Sequence, residues 1–151
     1  MYDLNKSQIM ELFQFDNAAK VISAAYIASS SGNVQTGDVV HLSFPGSNGD
    51  CHVKSGHINN AESYVIKIAS GFYDNPSKGL PSSNGMMLAF SASTGEPKAI
   101  LRDEGWLTDM RTGIGGAIAT KALAAKNAEK VLIIGSGIQA QFQAKCLASL
   151  M

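Results

Sequence analysis

The chain holds 151 residues, 45% of them apolar and 16% charged, with twelve basic side chains against twelve acidic ones. That composition excludes a disordered, self-repelling tail, and the singly scattered lysines and arginines leave no polyanion footprint, so nucleic acid is not an expected partner. No apolar run approaches the roughly 20 residues that cross a bilayer, and the first ten residues lack a signal-peptide core, so no membrane partner and a cytoplasmic location are expected.

Cys51 and Cys146 are the only two cysteines, too few for a disulfide framework and in keeping with a reducing compartment. The length suits one domain, or one domain and the start of another; the organisation of the chain favours the second.

Asn5 or Ser7 can cap a short first helix. Asp16 can cap a second, through "NAAKVISAAYIASSSG", with Ala18, Val21, Ile22 and Ala25 as its apolar stripe and Gly32 as its stop. From there to about residue 102 the period falls to two. The segments "DVVHLSF", "CHVKSGHI", "YVIKIASGF", "MMLAFSA" and "PKAILR" predict an antiparallel meander of about five strands.

His52 and Lys54 share a strand face with Asp50, which reads as a polar face. His41, His52 and His57 show neither the i, i+4 spacing of a helix nor a CxxC turn, so no metal is expected. Lys67 lies between Val65, Ile66, Ile68 and Ala69, and its ammonium projects from a half-buried face; it is either an edge lysine reaching solvent or a functional cation.

"NPSKGLPSSNG" is dense in turn formers and predicts a shaped loop whose Ser82 and Ser83 either meet a ligand or cap their own backbone. "LTDMRTGIGGAIATKALAAK" then predicts a long helix capped by Thr108, with Asp109 suited to the positive end of its dipole. Glycines 113, 115 and 116 each cost about 1 kcal/mol in a helix interior, so something must approach closely there. Arg111, a cation near a helix N-terminus, implies either a bound anion or a salt bridge to Asp103, Glu104 or Asp109.

"KVLIIGSGIQA" begins a new pattern. A wholly apolar strand at Val131–Ile134 leads into Gly135-x-Gly137-x-x-Ala140 and a helix, the setting that makes a glycine pattern a dinucleotide fingerprint. Gly135 permits the tight turn, Gly137 lets a pyrophosphate reach bare amides, and Ala140 keeps helix and strand close. The acidic residue that would hold a ribose hydroxyl falls about 20 residues past the glycines, so NAD and NADP stay equally open.

In order, "YVIKIASGFYDNPSKGLPSSNGMML", "GEPKAILRDEGWLTDMRTGIGGAIATKALA" and "VLIIGSGIQAQFQAK" resemble the amino-terminal half of the ornithine cyclodeaminase and mu-crystallin family. "HLSFPGSNGDCHVKSGHI" is similar to the branch associated with ectoine utilisation. The resemblance implies an α/β fold: a mixed α+β dimerisation and substrate domain with a largely antiparallel sheet over residues 1–128, then the first βα unit of a truncated Rossmann domain over 129–151.

It also implies a homodimer and an NAD or NADP cofactor. The family reaction oxidises an amino acid at Cα by hydride transfer, lets the imine react or lose ammonia, and returns the hydride. By the same resemblance, Lys67 meets the substrate carboxylate, Arg111 and Thr112 sit beside substrate and cofactor, and Ser82 lies near the nicotinamide. Gly135, Ser136, Gly137, Ile138 and Gln139 form the pyrophosphate turn.

Two departures stand out. Around "VVHLSFPG" no arginine corresponds to the second carboxylate-binding cation of the ornithine enzymes, and the acid/base aspartate is expected beyond residue 151. Alternatives are a non-catalytic, NADP-dependent ligand-binding protein like mu-crystallin, a ketimine reductase or alanine dehydrogenase relative, and a short dimerisation module without a nucleotide site.

Overall fold

The alternation that predicts strands does form them. The computed structural model describes residues 1–150. In chain order its elements are β1 (Tyr2–Asn5), α1 (Lys6–Leu12), α2 (Phe15–Ser30), β2 (Val34–Thr36), β3 (Val40–Phe44), β4 (Gly49–Ile58), β5 (Ser63–Phe72), β6 (Ser83–Ser91), β7 (Pro97–Arg102), α3 (Trp106–Leu123) and α4 (Ile138–Leu150). They fall into two compact units: Met1–Phe13 with Ala28–Trp106, and Gln14–Ile27 with the described residues from Leu107 onward.

The first unit is a seven-stranded sheet in the order β1-β7-β6-β5-β4-β2, with β3 also paired to β4. Strands β3 to β7 form the expected antiparallel meander. Two strands go beyond it: β1 pairs parallel with β7, and β2 pairs with the last three residues of β4. Neither is legible locally, because four and three residues are too short for a period to register.

Register sorts the side chains. Val40, Leu42, Val53, Ile66, Ile68, Met86 and Leu88 share one face, and His41, His52, Lys54, Lys67, Ala69 and Met87 the other. On the apolar face, Phe44 and Phe72 are the cross-strand partners of Gly49 on either side, and their rings stack at 5.6 Å over the bare glycine. Tyr64 stacks on its partner Phe90 at 5.1 Å.

Asn5 caps α1 as expected, in a reciprocal capping box. Its side chain accepts from the Gln8 N–H at 3.0 Å, while its own N–H donates to Gln8 Oε1 at 3.0 Å. Gly32, at φ +71°, ends α2 with its N–H on the Ser29 carbonyl. Helix α2 starts at Phe15, so Asp16 lies in its first turn and is not its cap. Helix α3 starts at Trp106, two residues ahead of the expected cap, and Thr108 instead accepts the Thr112 hydroxyl at 2.7 Å through its carbonyl.

The second unit packs around Ile114, Ala117, Phe142 and Cys146, all buried, with Ile114 fully so. Here the glycines of α3 find their reason. A Cβ at Gly113 would lie 2.7 Å from the Phe142 carbonyl oxygen and 2.8 Å from Cys146 Sγ; one at Gly115 would strike the Tyr26 hydroxyl, and one at Gly116 the Gln143 side chain. What approaches these glycines is protein, from α2 and α4.

The obstacles differ in kind, and so do the expected costs. At Gly113 the obstacle is backbone, so Gly113→Ala gains about 1 kcal/mol of helix propensity but overpacks by about 1–3 kcal/mol, for a net loss of up to about 2 kcal/mol. At Gly116 the obstacle is a side chain that can swing away, giving up its bond to the Thr112 carbonyl; Gly116→Ala should fall within about 0.5 kcal/mol of the parent. Urea midpoints compare the two, and equal losses would contradict this account.

The predicted strand at Val131–Ile134 does not form. No ladder involves these residues, and their side chains are largely exposed, Ile134 by 91%. A strand exists only through neighbours, and among the described residues the second unit holds no other strand.

Candidate functional site

Lys67 stands in the middle of β5, half-buried, with Lys54 of β4 directly opposite on one side and Met87 of β6 on the other. Along the same face follow Ala69, with its partner Gly85, and then Gly71. Small residues leave the sheet surface low beside the lysine. Two ammonium groups at facing positions repel, so a face that carries them suits an anion.

Beyond Lys54 on this face the β3–β4 hairpin gathers a second polar group. His41 and His52 are cross-strand partners, and their rings stack at 4.5 Å with 15° between planes. Asp50 Oδ1 lies 3.6 Å from His52 Nδ1, and Asp50 Oδ2 accepts the Tyr73 hydroxyl at 3.1 Å. That hydrogen bond, with the carboxylate's charge and some desolvation, holds the Tyr73 phenol above its ordinary value.

Spacing along the chain gave no metal-ligating set, yet His41, Asp50 and His52 have their ligand atoms within 4.8 Å of one another. Chain spacing missed this cluster because its members converge across a hairpin, where only register reveals them. The four residues between Phe44 and Gly49 were the available signal, since a connection that short brings His41 opposite His52.

The loop before β6 is shaped, as predicted. Asn75 donates to the Pro81 carbonyl at 3.1 Å, and the Ser82 carbonyl accepts the Phe72 N–H at 2.8 Å. Among the described residues the half-buried Ser82 hydroxyl makes no hydrogen bond, so it does not cap its own backbone.

In the second unit, the early start of α3 puts Arg111 at the sixth helical residue, past the turn where the dipole acts most strongly. It is exposed and, among the described residues, forms no salt bridge. Of its expected partners, Glu104 pairs with Lys6 at 3.2 Å and Asp109 accepts from Gln139 Nε2. Thr112 is half-buried with its hydroxyl on Thr108.

The glycine turn is open. Gly135 adopts φ +115°, a conformation that disfavours any side chain, and nothing lies within 4 Å of where a Cβ would stand at Gly135 or Gly137. Ser136 and Ile138 are exposed beside it, and α4 begins at Ile138. The first amides of that helix have no intrahelical acceptor, and its dipole adds partial positive charge. Gln139 Oε1 is buried and, among the described residues, accepts no hydrogen bond. An open anion-binding turn at a helix start fits a dinucleotide pyrophosphate.

Comparison with known proteins gives the family. The model of the ornithine cyclodeaminase/mu-crystallin family matches residues 3–151. An uncharacterized cyclodeaminase of Sinorhizobium fredii is 38% identical over 146 residues, 95% of this chain and 44% of its own length. Among solved structures, an archaeal alanine dehydrogenase dimer with bound NAD superposes with TM-score 0.88 at 30% identity, over 100% of this chain and 46% of that one. Thermococcus litoralis Δ1-pyrroline-2-carboxylate reductase, in complex with NADH and L-proline, gives 0.91 at 28%, over 99% and 46%. The chain thus spans less than half the length of the relatives it matches.

Proposed function

Because this chain belongs to the ornithine cyclodeaminase/mu-crystallin family, we propose that it is the amino-terminal portion of an NAD(P)-dependent enzyme acting at the Cα of an amino acid. The observation that carries the reading is the open Gly135–Gly137 turn at the start of α4. The backbone of Gly135, Ser136, Gly137, Ile138 and Gln139 would hold the pyrophosphate.

Lys67 grips the substrate carboxylate from the sheet face. Arg111 serves a carboxylate or a cofactor phosphate, with Thr112 beside it, and Ser82 offers its hydroxyl near the nicotinamide. When bound, the cofactor would accept the Cα hydrogen as a hydride, and with loss of a proton from the amino nitrogen the substrate would become an imine. The acid/base group is expected outside residues 1–151.

Deamination through the imine is the leading reading, with an ectoine-derived amine among its substrates, as the resemblance of the "HLSFPGSNGDCHVKSGHI" stretch suggests. A second reading keeps the hydride chemistry and omits ring closure, as in an alanine dehydrogenase or a cyclic-imine reductase. The alanine dehydrogenase and pyrroline-carboxylate reductase structures superposed above favour it.

A homodimer accords with the exposed apolar row of Val40, Leu42, Phe44 and Met86 on one sheet face. Free Cys51 and Cys146 accord with a cytoplasmic location, and no described helix is long and apolar enough to cross a membrane. The test is to incubate the full-length enzyme with NAD+ or NADP+ and a panel of 2-amino acids. Reduced nicotinamide or released ammonia is expected with at least one; neither product, with the cofactor shown to bind, would overturn the reading.

A further inference from the structure

None of the roles above uses the polar end of the β3–β4 hairpin. We propose that His41, Asp50 and His52 form a binding site for one divalent transition-metal ion of zinc-like ligand preference.

The strands impose the arrangement. His41 and His52 are facing partners, and Asp50 lies two residues before His52 on the same face, paired with Ser43. Three ligand atoms, two imidazole nitrogens and a carboxylate oxygen, lie within 4.8 Å of one another. Bonds of about 2.0–2.1 Å in a tetrahedral site require ligand atoms roughly 3.3 Å apart, so side-chain rotation closes the set without moving a strand. Two imidazoles with one carboxylate suit zinc and its neighbours over magnesium or calcium. Three protein ligands leave a fourth position for water, and His41 is exposed on that side.

The carboxylate is already oriented. The Tyr73 hydroxyl occupies Asp50 Oδ2, leaving Oδ1 turned to His52. Tyr73 is in turn pinned to the hairpin: its N–H donates to the Asn48 carbonyl at 3.0 Å, and the Asn48 side chain donates to Asp74 at 2.9 Å. Opposite Asp50 stands Gly71, where a Cβ would come within 3.0 Å of the Tyr73 hydroxyl oxygen. An outer partner that holds a ligating carboxylate in place is a regular part of a metal site. Lys54, next on the same face of β4, opposes the ion's charge and limits affinity.

Calorimetric titration of the protein with Zn2+ alone tests this. One equivalent should bind; His52→Ala and the exposed His41→Gln should each weaken binding at least about 100-fold, and Tyr73→Phe about tenfold, the loss typical of an outer partner. Lys54→Ala should strengthen it severalfold. Circular dichroism and urea midpoints close to the parent's confirm that the variants fold, as befits side chains that are not buried. Absence of binding by the parent, or binding unchanged in the folded His41→Gln and His52→Ala proteins, would overturn the proposal.

Discussion

Lys67→Ala in the full-length enzyme should raise KM for an amino-acid substrate by about 10- to 150-fold, since a hydrogen bond to a charged group contributes about 1.5–3 kcal/mol. The lysine sits mid-strand on β5 with paired neighbours on both sides, so its Cα position is set by two ladders and does not depend on its side chain. Removing the ammonium then subtracts carboxylate binding and leaves the sheet standing. Loss of uniform binding appears in KM; any additional fall in kcat reports that the carboxylate grip also aims Cα. Lys67→Met, which keeps the apolar stem, should behave like the alanine variant. An unchanged KM in both would remove Lys67 from the substrate site.

Gly137→Asp should lower NADH or NADPH affinity by about 100-fold or more. A carboxylate about 4 Å from a phosphate at an effective dielectric near 20 is unfavourable by roughly 4 kcal/mol, and its bulk occupies the approach to the amides. The same substitution should barely touch stability, because a Cβ at Gly137 meets nothing within 4 Å. Cofactor fluorescence measures the first effect and a urea midpoint the second. Loss of fold together with loss of binding would mean that the glycine serves packing and not a ligand.

The sheet was legible because its strands alternate. In "YVIKIASGF" and "MMLAFSA" the period of two is long enough to announce both strand and face, and Lys67 was correctly placed on a half-buried one. β1 escaped notice because a short parallel edge strand is defined by its partner β7 and carries no pattern of its own. The same physics runs in reverse at Val131–Ile134, where the apolar run has a strand's composition but no described neighbour to pair with.

Glycines 113, 115 and 116 are points of close approach, as their cost in a helix implies, but a sequence does not say what approaches. Here it is the Phe142 backbone and the Tyr26 and Gln143 side chains. The helix boundary differs from the expected one for a related reason. Thr108 is a good cap in isolation, yet the chain turns into α3 earlier, through Glu104 at φ +54° and Gly105 at φ +83°, and this moved Arg111 away from the helix end. The histidine and aspartate cluster was hidden because its members are distant in the chain and adjacent only through hairpin register.

The proposed chemistry is hydride transfer from a substrate carbon to the nicotinamide of a dinucleotide whose pyrophosphate the glycine turn would hold. Full-length enzyme supplied with an amino acid deuterated at Cα and with NAD+ or NADP+ should pass the deuterium to C4 of the nicotinamide, or return it to the product carbon, with a primary isotope effect on the step. Washout of the label to solvent, without any passage through the cofactor, would contradict the account.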